Sequence, residues 1–208
     1  MSQLTAAAER FQRDTAGHQM TVLHNDGLYR HLRFRNPDRS MYWFDLVTWP
    51  GKLAFVGDVA PGYVFSRVED MFEFFRAPAG WNLGDINPQY WAEKIVTGRE
   101  GVQRYSEELF RQHVTEQVAA AAGQWPDLAA TVDREILGDN ADWDIAFEEG
   151  AHEALRDFNF GTFRFEDWHE WRLKDWDWSY LWCCHAIRWG IDQYDRARTA
   201  AAGEPCPT

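Results

Sequence analysis

The stretch YRHLRFRNPDRSMYWFDLVTWPGKLAFVGDV, residues 29–59, decides the fold. It contains three short runs rich in β-branched and aromatic residues, separated by Asn-Pro-Asp and by Pro-Gly, which are typical turn sequences. The run that precedes it ends at Asp26-Gly27, a strong hairpin signal. Connections this short join antiparallel strands, because parallel strands need long crossovers. The sequence therefore predicts an antiparallel β-meander of four to five strands over residues 19–66.

From residue 67 onward, apolar residues recur at intervals of three and four, which is the period of a helix. Asn87 followed by Pro88 is typical of a helix N-terminus and predicts a helix over residues 89–96. The segment YLWCCHAIRW, residues 180–189, is the most apolar helical stretch of the chain. The run GTFRF at residues 161–165 instead predicts one more short strand.

These patterns predict an α+β protein in which the meander packs against an acidic, Trp-rich helical region. The helical region is expected to cover residues 67–202 and to be continuous with the sheet as one domain. Residues 1–18 are polar and rich in alanine, which indicates a flexible tail or a short helix, and residues 203–208 are expected to form a second tail. A chain of 208 residues is long enough for such a domain to bury a large core.

The negative charge of the chain is concentrated away from the meander. The formal net charge is −12, yet residues 1–60 carry seven basic and six acidic side chains. Residues 127–177 carry fifteen acidic and five basic side chains, interleaved with tryptophans. Acids on a rigid helical scaffold can imitate the phosphate spacing of nucleic acid, and indoles among them can anchor an interface. A plainer interpretation, core tryptophans with ordinary solvating acids, stays open.

This acidic, aromatic surface predicts binding to a basic partner, such as a host protein complex that handles nucleic acid. The mechanism would be steric and electrostatic occlusion, without direct binding of nucleic acid or of a membrane. Association of the chain with itself is left open. The residues expected to contact the partner are Asp142, Asp144, Glu148, Glu149, Asp167, Glu170, Trp171, Asp175 and Asp177.

The outer face of the meander offers an alternative site. Strand alternation directs Leu32 and Phe34 inward and their neighbours outward. The residues expected on the outer face are His31, Arg33, Arg35, Trp43 and Asp45. Arginines beside an aromatic ring can hold phosphates and stack bases, which predicts a nucleotide ligand for sequestration or hydrolysis. The other interpretation is a solvated face with Arg–Asp cross-strand pairs.

Three motifs in the first half of the chain are distinctive: TWPG at residues 48–51, VFSR followed by EDMFEFFR within residues 64–76, and NPQYW at residues 87–91. Over residues 29–95 the chain resembles a family of uncharacterised accessory proteins encoded by tailed phages and prophages. The resemblance implies a small cytoplasmic protein made in an infected bacterial cell, and it implies no particular activity. Together with the acidic surface, it predicts an anti-defence protein.

Catalytic motifs are missing from the sequence, which has no nucleotide-binding Gly-rich loop, GxSxG, HExxH or CxxC. Two ExxH motifs, ending at His152 and His169, have the spacing of di-iron ligands but lack the further glutamates on separate helices. His185 follows Cys183 and Cys184 within an apolar helical segment, which predicts small buried cysteines rather than a nucleophile. We therefore expect a non-enzymatic protein without a metal or a cofactor.

The sequence also bears on location. The first residues lack the apolar core of a signal peptide, and no run of about 18 apolar residues occurs. The three cysteines fit no disulfide framework. These features predict a cytoplasmic protein.

Overall fold

The computed structural model describes residues 3–60, 62–76, 86–139 and 141–203. For residues 202 and 203 it describes the backbone alone. The chain divides into two compact units: residues 1–102 with 176–208 form the first, and residues 103–175 form the second. The predicted helical region therefore contributes to both units. The predicted tail lies outside the described residues from residue 204 onward.

The first unit contains an antiparallel sheet of six strands, arranged in the order in which they occur in the chain. The strands are β1 (Gln19–Asp26), β2 (Tyr29–Arg35), β3 (Phe44–Trp49), β4 (Lys52–Gly57), β5 (Tyr63–Phe65) and β6 (Ile95–Thr97). The α+β class is confirmed, and five strands lie within residues 19–66 as the sequence predicts. A sixth strand, β6, which the sequence does not predict, pairs with β5. The helix predicted over residues 89–96 ends instead at Ala92, before β6 begins. Three consecutive β-branched residues favour the extended backbone that follows.

Two glycines make the tight turns of the meander, as Asp-Gly and Pro-Gly predict. Gly27 (φ 59°) lies between β1 and β2, and Gly51 (φ 75°) lies between β3 and β4. Both angles fall in the left-handed region, which glycine adopts without steric cost. Short hairpin loops fix the register of neighbouring strands, and in this register Arg33 of β2 faces Asp45 of β3.

Helices of the first unit share one hydrophobic core with the inner face of the sheet. They are α1 (Gln3–Thr15), α2 (Met71–Phe75), α3 (Pro88–Ala92) and α7 (Trp178–Gly203). Phe34, Phe44 and Leu46 point inward and are fully buried. Gly190 lets α7 approach the sheet closely, because a Cβ there would lie 2.8 Å from Leu46 Cδ1 and 3.0 Å from Phe34 Cζ. Trp182 of the same helix packs edge-on against Phe44, with 5.7 Å between ring centres.

Helix α7, with 26 residues, contains the adjacent cysteines. Cys183 and Cys184 are fully buried, as predicted. Burial raises the pKa of Cys184 to about 12, so this thiol is protonated and unreactive at neutral pH. Among the described residues, none of the helices has both the length and the apolar composition that crossing a lipid bilayer requires.

The second unit is built from helices and a short pair of strands around its own core. Its elements are β7 (Gln103–Tyr105), α4 (Glu107–Ala121), α5 (Leu128–Val132), α6 (Glu148–Asp157) and all but the last residue of β8 (Lys174–Trp176). A π-helical turn, Asp133–Leu137, follows α5 directly. The core includes Phe110, Val114, Leu155 and Phe165, all buried.

The strand predicted at residues 161–165 is wrong. An isolated bridge between Phe160 and Phe163 occurs there instead, and Gly161 (φ 58°) makes the turn between them. The apolar side chains that suggested a strand serve another purpose: Phe163 and Phe165 pack edge-on, with 5.3 Å between ring centres, as part of the core cluster.

Candidate functional site

The outer face of the sheet carries a hydrogen-bonded cluster of charged side chains. The Arg33 guanidinium donates from Nε (2.9 Å) and Nη2 (2.8 Å) to the two carboxylate oxygens of Asp45. His31 Nε2 lies 2.8 Å from Asp45 Oδ2. These three residues share one face of the sheet, as strand alternation predicts, and the structure brings them into direct contact.

Asp45 is the buried centre of this cluster. Its side chain is 8% exposed, whereas that of Arg33 is 39% exposed. Burial by itself favours the neutral carboxyl group, but hydrogen bonds from Arg33 and His31, with their charges, outweigh it and hold the pKa of Asp45 below its ordinary value. Asp45 is therefore ionised at neutral pH and keeps Arg33 engaged. The cluster has the cross-strand Arg–Asp pair that the plainer interpretation of this face expects.

A pocket of about 590 Å³ opens beside the cluster. It is lined by Arg33, Arg35, Pro37, Asp38, Arg39, Ser40 and Trp43. The Arg33 guanidinium carbon lies 5.6 Å from the centre of the Trp43 ring, a cation–π contact. Arg35 and Arg39 are exposed, and within the described residues neither has an ion-pair partner. The pocket therefore presents two arginines without ion-pair partners next to an indole, with the Asp38 carboxylate also in its lining.

The loop between β2 and β3 supplies Arg39, which sequence reasoning missed. Asn36 orders this loop: its Oδ1 accepts from the Asp38 backbone N–H (2.9 Å), and its carbonyl accepts from the Arg39 backbone N–H (3.4 Å). The Asn-Pro-Asp sequence signals such a turn. Strand alternation cannot say which way a loop residue faces, so the pattern that found Arg35 could not find Arg39.

The second unit carries most of the negative charge. Residues 103–175 include seventeen acidic and seven basic side chains, a net charge of −10, whereas the rest of the chain has a net charge of −2. The charge asymmetry thus follows the boundary between the two units, and not the end of the meander near residue 60.

Most of the acids predicted to contact a partner are accessible. Five are exposed side chains of the second unit: Asp142, Asp144, Glu149, Asp167 and Glu170. Within the described residues, none of these five acids pairs with a lysine or arginine side chain, and Glu170 Oε1 lies 4.0 Å from His169 Nε2. Glu148 and Asp175 are half-buried, and Glu148 Oε2 lies 3.7 Å from Lys174 Nζ.

One predicted contact residue, Asp177, needs correction, and a second, Trp171, is half-buried. Asp177 belongs to the first unit and is only 7% exposed. Its carboxylate accepts hydrogen bonds from the backbone N–H (2.8 Å) and the hydroxyl of Ser179 at the start of α7, so it is buried and unavailable to a partner. Trp171 is half-buried and stacks on His113, with 5.1 Å between ring centres, so its ring serves mainly the core of the second unit.

Sequence reasoning also missed Phe147. Its side chain is 66% exposed, the most among the large apolar side chains that the structure describes. It is the N-cap residue of α6 and lies between the exposed acids Asp144 and Glu149 in the chain. Phenylalanine is not among the residues preferred at an N-cap position, so the sequence gives no reason to single it out. The structure alone reveals the exposed ring.

Neither ExxH motif belongs to a metal site in the part of the chain that the structure describes. No group of three or more His, Cys, Asp or Glu side chains is arranged there to hold an ion. The His152 ring lies beside Trp168, with 5.4 Å between ring centres, and the His169 side chain is 67% exposed.

Comparison of the chain with protein-family models, with curated proteins and with solved structures gives no match. The resemblance to tailed-phage proteins over residues 29–95 therefore stays a prediction. Function has to be inferred from the chemistry of the acidic second unit and of the arginine-lined pocket.

Proposed function

We propose that this protein is a phage-encoded accessory protein that binds a basic host protein through the second unit. The contact is centred on the acidic segment, which we define as residues 142–149, with Asp167 and Glu170 contributing further charge. The observation that supports the proposal is the exposed ring of Phe147 near Asp142, Asp144 and Glu149 in the chain, three exposed acids without an ion-pair partner in the described residues.

Charge and an apolar anchor contribute to binding in different ways. Unpaired acids steer a basic partner towards the surface and speed association. An aromatic side chain that becomes buried in the complex slows dissociation. Burying a whole phenylalanine side chain contributes about 1.5–3 kcal/mol. Phe147 is already one-third covered, so its burial by a partner is worth about 1–2 kcal/mol, or roughly 5–30-fold in affinity.

The proposed partner is a nucleic-acid-handling complex of a bacterial defence system. Proteins of this class bind nucleic acid through basic grooves, and an acidic segment with a net charge opposite to theirs can occupy such a groove. The protein would act in the cytoplasm of the infected cell by occlusion, and the phage origin rests on the resemblance over residues 29–95. No reaction is assigned to the protein in this proposal.

The test is capture of a partner by the tagged full-length protein from lysate of its bacterial host. Two variants are compared with the wild type: Phe147→Ala, and a neutralised triple variant with Asp142→Asn, Asp144→Asn and Glu149→Gln. Amides are chosen because Asp144 Oδ1 accepts a hydrogen bond from the Ala146 backbone N–H (3.2 Å), which asparagine retains. We expect one host protein to be captured by the wild type and lost with both variants, while circular dichroism is unchanged.

A matched control removes three exposed acids from the first unit by Glu9→Gln, Glu69→Gln and Glu73→Gln. This control changes the net charge equally, so it is expected to capture the same partner as the wild type. Capture of the same protein by all three variants, or no specific capture by the wild type, would contradict the proposal. Loss of the partner with Arg33→Glu and Arg35→Glu, but not with the acidic variants, would assign the function to the sheet instead.

A further inference from the structure

We propose that the arginine-lined pocket between β2 and β3 binds a mononucleotide, with the phosphate on Arg35 and Arg39 and the base against Trp43. This inference is independent of the function proposed for the second unit. It concerns residues of the first unit alone, and its test uses small ligands instead of a protein partner.

The phosphate end of the site follows from two arginines that face the same pocket. Arg35 ends β2 and Arg39 lies on the loop ordered by Asn36, so the backbone holds both residues in place. Their guanidinium groups are exposed, and within the described residues no carboxylate pairs with either. A guanidinium binds phosphate oxygens bidentately, and a phosphate dianion would neutralise both charges. The two guanidinium groups together are therefore suited to binding one phosphate group.

The base end of the site follows from Trp43 and its neighbour Arg33. Asp45 holds Arg33 by two hydrogen bonds from Nε and Nη2, which fix its guanidinium and pair its charge with a carboxylate. From that fixed position Arg33 contacts the Trp43 ring at 5.6 Å. Arg33 thus acts as a positioning residue that orients the indole along the pocket wall. An indole held in this way offers a face on which a planar base can stack.

The size and polarity of the pocket fit this class of ligand. Its volume of about 590 Å³ lies within the range of roughly 300–1,000 Å³ that is usual for small-ligand sites. Asp38 and Ser40 also line it. The Asp38 carboxylate repels a phosphate but accepts hydrogen bonds from ribose hydroxyls or a base amino group. A carboxylate in the lining favours a ligand that carries hydrogen-bond donors as well as a phosphate over a bare oxyanion.

The experiment is calorimetric titration of the full-length protein with the four common nucleoside 5′-monophosphates and with inorganic phosphate. We expect at least one nucleotide to bind with a Kd below about 1 mM and more tightly than inorganic phosphate does. Arg35→Gln combined with Arg39→Gln should weaken nucleotide binding by about tenfold or more. Trp43→Leu should weaken nucleotide binding while leaving inorganic phosphate binding unchanged, and Trp43→Phe should restore most of it.

The matched control is Arg67→Gln combined with Arg99→Gln, which removes two exposed charges elsewhere in the first unit. This control should bind nucleotide as the wild type does. Equal weakening in the control would show that only net charge matters and would overturn the site. So would the failure of every nucleotide to bind the wild type at millimolar concentration. Insensitivity to Trp43→Leu would overturn the assignment of a base-containing ligand.

Discussion

Replacing Asp45 by asparagine tests the cluster on the outer face of the sheet. The change keeps the shape of the side chain but removes the negative charge that engages Arg33 and His31. Hydrogen bonds to charged groups contribute about 1.5–3 kcal/mol each. The loss is smaller than their sum, because asparagine still offers one acceptor and because water screens the half-exposed Arg33. We expect the free energy of unfolding to fall by about 1–3 kcal/mol.

The measurement is urea-induced unfolding followed by circular dichroism, with Asp26→Asn as the control. Asp26 is exposed at the end of β1, so the control should change stability by less than about 0.5 kcal/mol. The same Asp45 variant releases Arg33 towards the pocket and should strengthen the binding of inorganic phosphate. If stability is unaltered and phosphate affinity is unchanged, Asp45 does not hold Arg33 in solution and our account of the cluster is wrong.

Other predictions follow from the first unit. Trp182→Ala removes a fully buried indole and should cost about 3–5 kcal/mol in urea unfolding, whereas Trp178→Ala, at a 44% exposed site, should cost far less. Burial alone would raise the pKa of Asp70, but hydrogen bonds from Arg30 and from the Phe72 backbone N–H, with the charge of Arg30, lower it below the ordinary 3.8. The stabilisation is therefore present above that value and is lost as the pH falls through the lower folded pKa; Asp70→Asn should flatten the acid side of the stability–pH curve. Treatment with a chelator should leave the thermal unfolding midpoint unchanged, and a drop would reveal a bound metal.

The parts of the structure that sequence alone predicts are those set by local periodicity. Alternation places Leu32 and Phe34 inside the sheet, and the turn dipeptides position the hairpins. Arg30 points to the same inner face and is buried although it is charged. Two hydrogen bonds (2.8 and 2.9 Å) pair it with Asp70, forty residues away in the chain. Alternation assigns a residue to a face but cannot supply a distant partner. This explains why buried charges were missed while buried apolar residues were found.

The candidate sites show the same division between local and distant information. The residues His31, Arg33 and Asp45 were predicted together because neighbouring strands bring alternate residues onto one face. Exposure of residues in the helical segments and their connections depends on which elements pack together, and no local pattern encodes it. As a result the sequence placed the buried Asp177 on the surface and overlooked the exposed Phe147.

The most direct test of the central claim is the kinetics of binding to the captured host protein at several salt concentrations. The account predicts that neutralising Asp142, Asp144 and Glu149 slows association and flattens its dependence on salt, because steering is electrostatic. It predicts that Phe147→Ala raises the dissociation rate roughly 5–30-fold and leaves the salt dependence unchanged. Association that is fast and equally salt-dependent in the neutralised variant, together with unaltered dissociation in Phe147→Ala, would contradict the claim that the acidic segment makes the contact.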